Sequence, residues 1–180
     1  DIAQIIDLGV KQGQEIDEAR LAELEEESQF GKLYARALEY ALMRPRSQRE
    51  MRDYLYKKTL SKKYRTKKGE IKDHEGISKP ITERVFAKLV EKGYIDDEKF
   101  ARYWLENRNQ RKGSSLHKLK AELMQKGVAG DIIEAATSES DRTDAEELAK
   151  IIAKKRSKYP DDEKLKAYLA RQGFRFDDIT

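Results

Sequence analysis

The chain has no cysteine, so it can form neither a disulfide framework nor a thiolate metal site. Only three prolines interrupt its 180 residues, and Ala, Leu, Glu, Lys and Arg dominate, which favours helix throughout. No apolar run reaches the length of a signal peptide or a membrane span. We therefore expect an all-α protein that is soluble and cytoplasmic, with no membrane as a partner.

Motifs that carry chemistry are equally scarce. The two histidines, His74 and His117, each lack a second histidine at ligand spacing, and no Gly-x-x-x-x-Gly-Lys loop is present. Asp96, Asp97 and Glu98 suggest a divalent-cation site, but capping of the following helix explains them better. No nucleophile and base fall where helix geometry would bring them together. The sequence predicts no enzyme, no catalytic residue, no metal and no cofactor.

Charge is abundant and unevenly distributed along the chain. Charged residues make up 40% and hydrophobic residues 38%, which suits exposed helices with narrow apolar stripes. Acidic residues dominate the stretch 15–27, whereas basic residues dominate from Arg44 to Lys79, although the net charge is only +4. Such polarity favours a partner that carries phosphates or acidic side chains, and a solvated surface is the alternative.

One segment of the sequence returns later in the chain. Residues 119–133 reappear as residues 165–179, with leucines at i and i+4 and a glycine four residues after the second leucine. Gly127 and Gly173 can take the left-handed conformation that ends a helix, and we expect the same ending at Gly93. A repeated helical module is typical of a binding surface rather than of a catalytic pocket.

Apolar periodicity and capping residues predict helices that group in threes. The first two are a helix over 18–27 that Asp17 caps and an amphipathic helix from about Tyr34 to Arg44. The predicted divisions are an N-terminal lead-in segment with an acidic helix at 1–30, repeat 1 at 31–95 with a basic insertion at 57–79, repeat 2 at 96–141 and repeat 3 at 142–180. Repeat 3 is expected to be incomplete, and the chain to be a fragment of a longer product, because it lacks an initial Met and stops as a helix begins.

The central run of the chain carries a family resemblance. It reads LVEKGYIDDEKFARYW over residues 89–104. The pattern continues with Arg108, Gly113, the leucines Leu116, Leu119 and Leu123, and then Lys126-Gly127-Val128. This pattern resembles the hallmark of the bacterial RecX regulatory proteins. Residues 165–174 are similar to that family's third repeat, and residues 44–50 resemble the start of the second helix of its first repeat. The match covers roughly residues 30–180, and residues 8–16 fit the lead-in of some members.

The resemblance implies a fold, a function and partners. Members are elongated, curved arrays of helix-turn-helix-like, three-helix repeats that lie in the groove of the RecA recombinase filament on DNA. They modulate RecA, mainly by inhibiting its ATPase, strand-exchange and co-protease activities, and they are not enzymes. We therefore expect a monomer whose partners are the RecA filament and DNA, single- or double-stranded and bound without sequence preference. A helical module that binds DNA without RecA is the alternative, and a purely structural helical adaptor is a third.

The insertion in repeat 1 departs from the family pattern. Members pass through a short Lys-Gly-like stop after the second helix, whereas residues 57–79 form a longer basic excursion. It can be an extended helical end, a hairpin or a mobile loop. We expect it to contact DNA phosphate because basic density peaks there, and a solvated insertion without a partner is the alternative.

The predicted RecA- and DNA-binding residues are basic side chains in the insertion and near helix ends, where charged heads can reach outward from apolar stems. In repeat 1 and its insertion they are Arg44, Arg46, Arg49, Arg52, Lys57, Lys58, Lys62, Lys63, Arg65, Lys67 and Lys68. In repeat 2 they are Arg108, Arg111, Lys112 and Lys118, and in repeat 3 they are Lys154, Lys155, Arg156 and Lys158. Trp104 can stack on a base, but its four-residue spacing from Phe100 favours a place in the core.

Overall fold

The structure is a computed structural model that describes residues 9, 11 and 13–179, with the side chain of His74 left out. Helices dominate it, which confirms the predicted all-α class. They are α1 (Glu18–Leu42), α2 (Gln48–Thr59), α3 (Lys79–Glu91), α4 (Asp97–Asn107), α5 (Leu116–Gln125), α6 (Gly130–Glu139), α7 (Asp144–Lys155), α8 (Asp162–Arg171) and α9 (Phe176–Ile179). None of these helices is long and apolar enough to cross a membrane.

Helix α1 is one element where two were predicted. Asp17 caps it as expected, because its carboxylate accepts a hydrogen bond of 2.7 Å from the backbone N–H of Arg20. The helix then continues without a break to Leu42. Gly31 lies between the two predicted segments, and an isolated helix glycine costs only about 1 kcal/mol. Phe30 and Leu33 are buried on either side of it, and their packing holds the helix together, so the prediction of two helices was wrong.

The chain divides into two compact units. Unit 1 contains the described residues up to Arg44 together with Glu50–Ile95, and unit 2 contains Pro45–Arg49 together with the residues from Asp96 onward. The core of unit 1 gathers side chains from α1, α2 and α3. Unit 2 has one cluster from α4, α5 and α6 and another from α7 and α8. Leucines of the repeated sequence, such as Leu119 and Leu165, belong to these two clusters.

The predicted glycine stops form as expected. Gly93, Gly127 and Gly173 have φ values of 69°, 78° and 88°. The residue after each glycine donates its backbone N–H to the carbonyl of the leucine four residues before that glycine, at 3.0, 3.2 and 3.4 Å. This hydrogen bond satisfies a carbonyl that the helix end would leave unpaired. It also turns the chain so that Val128 and Phe174 are buried against the helix they follow.

Two buried serines make equivalent contacts within unit 2. The hydroxyl of Ser47 donates to the carbonyl of Lys126, and that of Ser115 donates to the carbonyl of Gln172, both at 2.8 Å. Each accepting carbonyl lies directly before a helix-ending glycine. The repeated sequence therefore produces a repeated tertiary contact, in which the start of one helix is bonded to the end of another.

Backbone donors beside these serines bind carboxylates in the same repeated way. The N–H of Gln48 donates to Asp97 at 2.8 Å, and the N–H of Leu116 donates to Asp144 at 2.7 Å. Asp97 therefore serves another helix start, while Asp96 caps its own helix α4. Burial raises the pKa of Asp97 above its ordinary value, although the Gln48 hydrogen bond opposes this rise. The carboxylates at 96 and 97 thus have structural partners.

The insertion at 57–79 contains an antiparallel hairpin, one of the three conformations left open by the sequence. Strands β1 (Lys62–Arg65) and β2 (Ile71–His74) pair with Lys62 opposite His74 and Tyr64 opposite Lys72. The turn closes with a hydrogen bond of 2.9 Å from the N–H of Gly69 to the carbonyl of Thr66. Gly69 has φ 87°, so the turn uses a residue without a side chain at its left-handed position.

The base of the hairpin is held tightly against the end of α2. The N–H of Ile77 donates to the carbonyl of Lys58 at 2.9 Å. Beside it, a Cβ atom on Gly76 would lie 1.8 Å from the carbonyl oxygen of Thr59. Only glycine permits this approach of two backbones, so Gly76 fixes where the hairpin leaves the helical part of unit 1.

Candidate nucleic-acid interface

The hairpin presents a dense group of exposed cations. Every residue of β1 is exposed, and so are Lys67 and Lys68 in the turn. Among the described residues, no carboxylate pairs with the ammonium groups of Lys62, Lys63, Lys67 or Lys68, whereas Lys72 lies 4.0 Å from Glu70. Exposed ammonium groups without an ion pair remain available to an anionic partner, although Asp73 stands opposite Lys63 in the strand register.

An aromatic ring lies among these cations. Opposed residues of an antiparallel pair share a face, as do residues two apart in a strand. The register therefore places Tyr64 on the same face of the hairpin as Lys62 and Lys72. The Tyr64 side chain is 50% exposed. Aromatic rings between basic side chains are typical of surfaces that bind nucleic-acid strands.

Two predicted arginines of unit 1 are held by contacts within the fold. Arg44 binds the carboxylate of Glu50 through two nitrogens, at 3.0 and 3.1 Å. Arg52 lies over the ring of Phe86, with its guanidinium carbon 3.8 Å from the ring centre, and contacts Glu83 at 3.4 Å. Both arginines stabilise unit 1, and each has part of its charge neutralised there.

The other predicted residues near the start and end of α2 differ in exposure. Arg46 is buried, with 9% of its surface exposed, so little of it can reach a partner. Arg49 is exposed, but its stem packs so closely on Gly127 that a Cβ on that glycine would lie 2.9 Å from the Arg49 Cβ. At the other end, Lys57 is exposed and Lys58 lies 4.7 Å from the centre of the Tyr54 ring.

Arg108 belongs to a cluster around the single tryptophan. The Nε1–H of Trp104 donates to Glu122 at 3.0 Å, and the Nε–H of Arg108 donates to the same carboxylate at 2.9 Å. Arg108 and Lys126 each lie 5.0 Å from the Trp104 ring centre. Trp104 also packs against Phe100 and the core of its unit, as the sequence predicted. The cluster therefore places a half-buried ring under two cations.

Four further predicted cations of unit 2 have no ion pair with a carboxylate in the described structure, and two of them donate to neutral acceptors. Arg111 and Lys112 are exposed, and the carbonyl of Arg111 accepts a hydrogen bond from Lys154. Lys118 donates to the side-chain oxygen of Gln172 at 2.9 Å. These side chains keep most of their positive charge available for a partner.

The last predicted group lies around the end of α7. Lys155 and Lys158 lie 5.9 and 5.8 Å from the ring centres of Tyr168 and Tyr159. Arg156 pairs with the carboxylate of the first residue of α8. Such exposed ion pairs contribute little to stability, so Arg156 can exchange its partner at small cost.

A buried ion cluster in unit 2 was not predicted. Glu147 has a side chain 1% exposed and accepts hydrogen bonds from Arg142 and Lys150, both at 2.7 Å, and from the N–H of Ser114 at 2.8 Å. Burial alone would raise the pKa of Glu147, but these three donors outweigh it and lower the pKa below its ordinary value. In sequence, Glu147 resembles any first-turn helix acid, so no local signal indicated its burial.

This cluster borders a cavity of about 360 Å³ on one side of unit 2. The carboxylate of Glu147 is bound by three donors of the protein itself, which suits a structural role rather than proton transfer. Within the described ranges no three His, Cys, Asp or Glu side chains converge as metal ligands would.

A groove in unit 1 brings together cations that the sequence did not single out. It has a volume of about 540 Å³ and lies between α1 and the hairpin. Lys32 and Arg36 line it from α1, and Tyr64 lines it from the hairpin. Lys32 and Arg36 are one helical turn apart and exposed, so in sequence they resemble an ordinary solvated helix face.

The fold defines a class of all-α proteins built from tandem three-helix units, here with unpaired cations on a hairpin insertion. The family model described as "RecX, second three-helix domain" matches residues 96–136, which contain α4, α5 and most of α6. A regulatory protein RecX from Clostridium tetani is 30% identical over 94% of this chain and 74% of its own length. The chain belongs to the RecX family of regulatory proteins.

Further comparisons agree on the family and the fold. A regulatory protein RecX from Bacillus pumilus is 28% identical over 99% of this chain, and the chain spans 64% of that relative's length. A crystal structure of a regulatory protein RecX superposes with a TM-score of 0.71 at 20% identity, covering 99% of this chain and 83% of the other. The tandem three-helix fold is thus shared although most side chains differ.

Proposed function

We propose that this protein binds the RecA–DNA filament and modulates it, mainly by inhibiting the ATPase, strand-exchange and co-protease activities of RecA. Membership of a family named for regulation supports a regulatory role. Binding to a filament that contains DNA is supported by four hairpin lysines that are exposed and have no ion pair in the described structure. They are Lys62, Lys63, Lys67 and Lys68. A partner rich in phosphate would neutralise them.

The three-helix units suit a protein that acts by binding. Their cores are filled by apolar side chains, and the buried carboxylate of Glu147 is satisfied by neighbouring donors. Any effect on ATP hydrolysis therefore has to come through a partner that holds the nucleotide. Exposed cations occur in both units, on the hairpin and near Arg111 and Lys112, which gives the protein several points of attachment to a polymer.

The alternative is a helical module that binds DNA without RecA. The same hairpin lysines support it, because their attraction for phosphate does not depend on a second protein. The two functions predict different effects on the ATPase activity of RecA. A filament regulator changes the rate of DNA-dependent ATP hydrolysis by RecA, whereas a simple DNA-binding module changes it only by competing for DNA, so excess DNA removes its effect.

The test is a titration of the DNA-dependent ATPase of RecA with this protein at saturating single-stranded DNA. We expect a saturable decrease that is complete near equimolar protein and persists when DNA is in excess. A variant in which the four hairpin lysines become glutamine should need more protein for the same decrease, and its binding to the RecA–DNA filament should depend less on salt. For single-stranded DNA, each lost phosphate contact should reduce the salt slope by roughly 0.7.

The matched control neutralises four lysines outside the predicted set, Lys92, Lys99, Lys164 and Lys166, and so removes the same net charge. It should inhibit like the original protein if position matters. Equal weakening by both variants would show that only the overall charge counts, and an ATPase rate unchanged by the original protein would refute the filament proposal.

A further inference from the structure

The groove between α1 and the hairpin has two chemically different walls. Lys32 and Arg36 project from α1 into one side, and both are exposed. Tyr64 of the hairpin lines the other side. Asp73 also borders the groove, but the register places it on the opposite face of the hairpin from Tyr64. Among the described residues no carboxylate lies within ion-pair distance of Lys32 or Arg36, so their positive charge faces the groove without a partner.

The aromatic wall is open to a ligand. Half of the Tyr64 side chain is exposed, and every residue of its strand is exposed, so the ring is not part of a hydrophobic core. Lys62 and Lys72 lie on the same face of the hairpin and extend the positive potential beyond the groove. An exposed ring between cations on two sides is the arrangement that binds stacked bases and their phosphates together.

The acids of the groove favour an oriented ligand. Asp73 and Glu75 lie on the hairpin side, opposite Lys32 and Arg36. Phosphates are repelled by these carboxylates and attracted by the α1 cations, so a bound strand should direct its backbone towards α1. Its bases would then face the ring of Tyr64.

We propose that this groove binds a single strand of DNA, with a base stacked on Tyr64 and the adjacent phosphates beside Lys32 and Arg36. A volume of about 540 Å³ lies in the range of pockets that enclose one small ligand, so the groove has room for a nucleotide but not for a double helix. Bases in a duplex are already stacked on one another and cannot offer a face to the ring.

The site is independent of RecA, and only the choice of DNA over RNA rests on the proposed function. It differs from the general attraction of the hairpin lysines for phosphate, because it adds a contact to the base itself. It also assigns a role to Lys32 and Arg36, which lie in a helix that the sequence alone marks as ordinary.

The test measures the affinity of the full chain for a deoxythymidine oligonucleotide by filter binding, without RecA and over a series of salt concentrations. Tyr64→Leu keeps apolar bulk but removes the ring, so we expect a loss of roughly 5- to 150-fold in affinity with an unchanged salt slope. The double variant Lys32→Gln/Arg36→Gln should instead flatten the salt slope by about 1.4, because two phosphate contacts are lost. Both α1 side chains are exposed, so this variant keeps its fold.

Two controls separate stacking from charge. Tyr56→Leu removes another exposed tyrosine of unit 1, which lies outside the groove, and should bind like the original protein. An abasic oligonucleotide of the same length keeps the phosphates but has no bases, so Tyr64→Leu should leave its binding unchanged. Binding to duplex DNA should also be insensitive to this substitution.

The proposal is overturned if Tyr64→Leu binds the thymidine oligonucleotide as tightly as the original protein, or if it loses as much affinity for duplex. Tighter binding of a uridine ribo-oligonucleotide would overturn the assignment to DNA. The RecA ATPase titration is a separate measurement. Its failure with intact single-strand binding would refute the filament proposal alone, and the reverse result would refute the groove alone.

Discussion

The hydroxyl of Ser115 donates a hydrogen bond of 2.8 Å to the carbonyl oxygen of Gln172. The same hydroxyl accepts one of 3.2 Å from the backbone N–H of Lys118. One buried side chain therefore caps α5 and binds it to the end of α8. Ser47 makes the equivalent contact to Lys126. A serine hydroxyl bonded to the end of another helix therefore occurs twice in unit 2.

Ser115→Ala should lower the free energy of unfolding by about 1–2 kcal/mol, because it removes a helix cap and leaves a buried carbonyl without this donor. Urea denaturation measures the loss. The neighbouring Ser114 is the matched control, since it is also buried but its hydroxyl has no partner in the described structure. Ser114→Ala should not lower stability, because it removes a buried hydroxyl that makes no hydrogen bond. Equal losses in the two variants would contradict the role of the Ser115 hydroxyl.

Stability should fall in acid because of Glu147. Its folded pKa lies below the ordinary value of 4.5, so the unfolded chain binds the proton first as the pH falls. The stabilisation is complete above about pH 4.5 and is lost as the pH falls through the lower folded value. Glu147→Gln should cost about 3–5 kcal/mol at neutral pH, because Arg142 is then buried without its carboxylate.

The measurement is urea unfolding of both proteins from pH 3 to pH 7. The difference between the original protein and Glu147→Gln should shrink as the solution becomes more acidic. Glu146→Gln is the control, because that adjacent side chain is exposed. A pH-independent difference for Glu147→Gln would show that shape, and not charge, accounts for its effect.

The junction at Gly76 should not tolerate a methyl group. Gly76→Ala would place a Cβ 1.8 Å from the carbonyl oxygen of Thr59, so the backbone must move and unit 1 should lose about 1–3 kcal/mol. Gly130→Ala is the comparison, because a Cβ there meets nothing within 4 Å. It should be neutral or slightly stabilising in helix α6. Thermal unfolding distinguishes the two, and an unchanged melting temperature for Gly76→Ala would contradict the close approach.

Removing the charge of Arg44 should reduce stability, whereas removing the charge of Lys63 should reduce the salt dependence of DNA binding. Arg44→Gln breaks a two-nitrogen contact to a partly buried carboxylate and should lower stability by about 1–3 kcal/mol. Lys63→Gln removes an exposed unpaired charge and should leave stability unchanged while reducing the salt slope of DNA binding by roughly 0.7–0.9. Unfolding and filter-binding measurements on both variants test this, and a reversed pattern would contradict the assignment.

The helices could be predicted from sequence because their signals are local. Asp17 and Asp96 cap helices where expected, and Gly93, Gly127 and Gly173 end them in the left-handed conformation. Each signal depends on a few neighbouring residues, which fold in the same way in many contexts. The resemblance that identified the family used the same stops and leucine spacings.

The hairpin and the distribution of functional charge could not be predicted in this way. Four-residue strands with every β1 side chain exposed carry no apolar alternation that would distinguish them from a loop. Whether a cation is paired depends on residues far away in sequence, as for Arg52 with Glu83. Lys32 and Arg36 became candidates only when the fold placed Tyr64 across a groove from them.

Trp104 is the only tryptophan of the chain and lies against two cations in unit 2. The indole N–H donates to Glu122, and the side chains of Arg108 and Lys126 lie over the ring. A polyanion that binds either cation would change the charge near the ring and so alter the fluorescence of Trp104. The hairpin groove lies in the other unit and contains no indole. Tryptophan emission, excited at a wavelength where tyrosine does not absorb, therefore reports on the surroundings of this ring in unit 2 without a label.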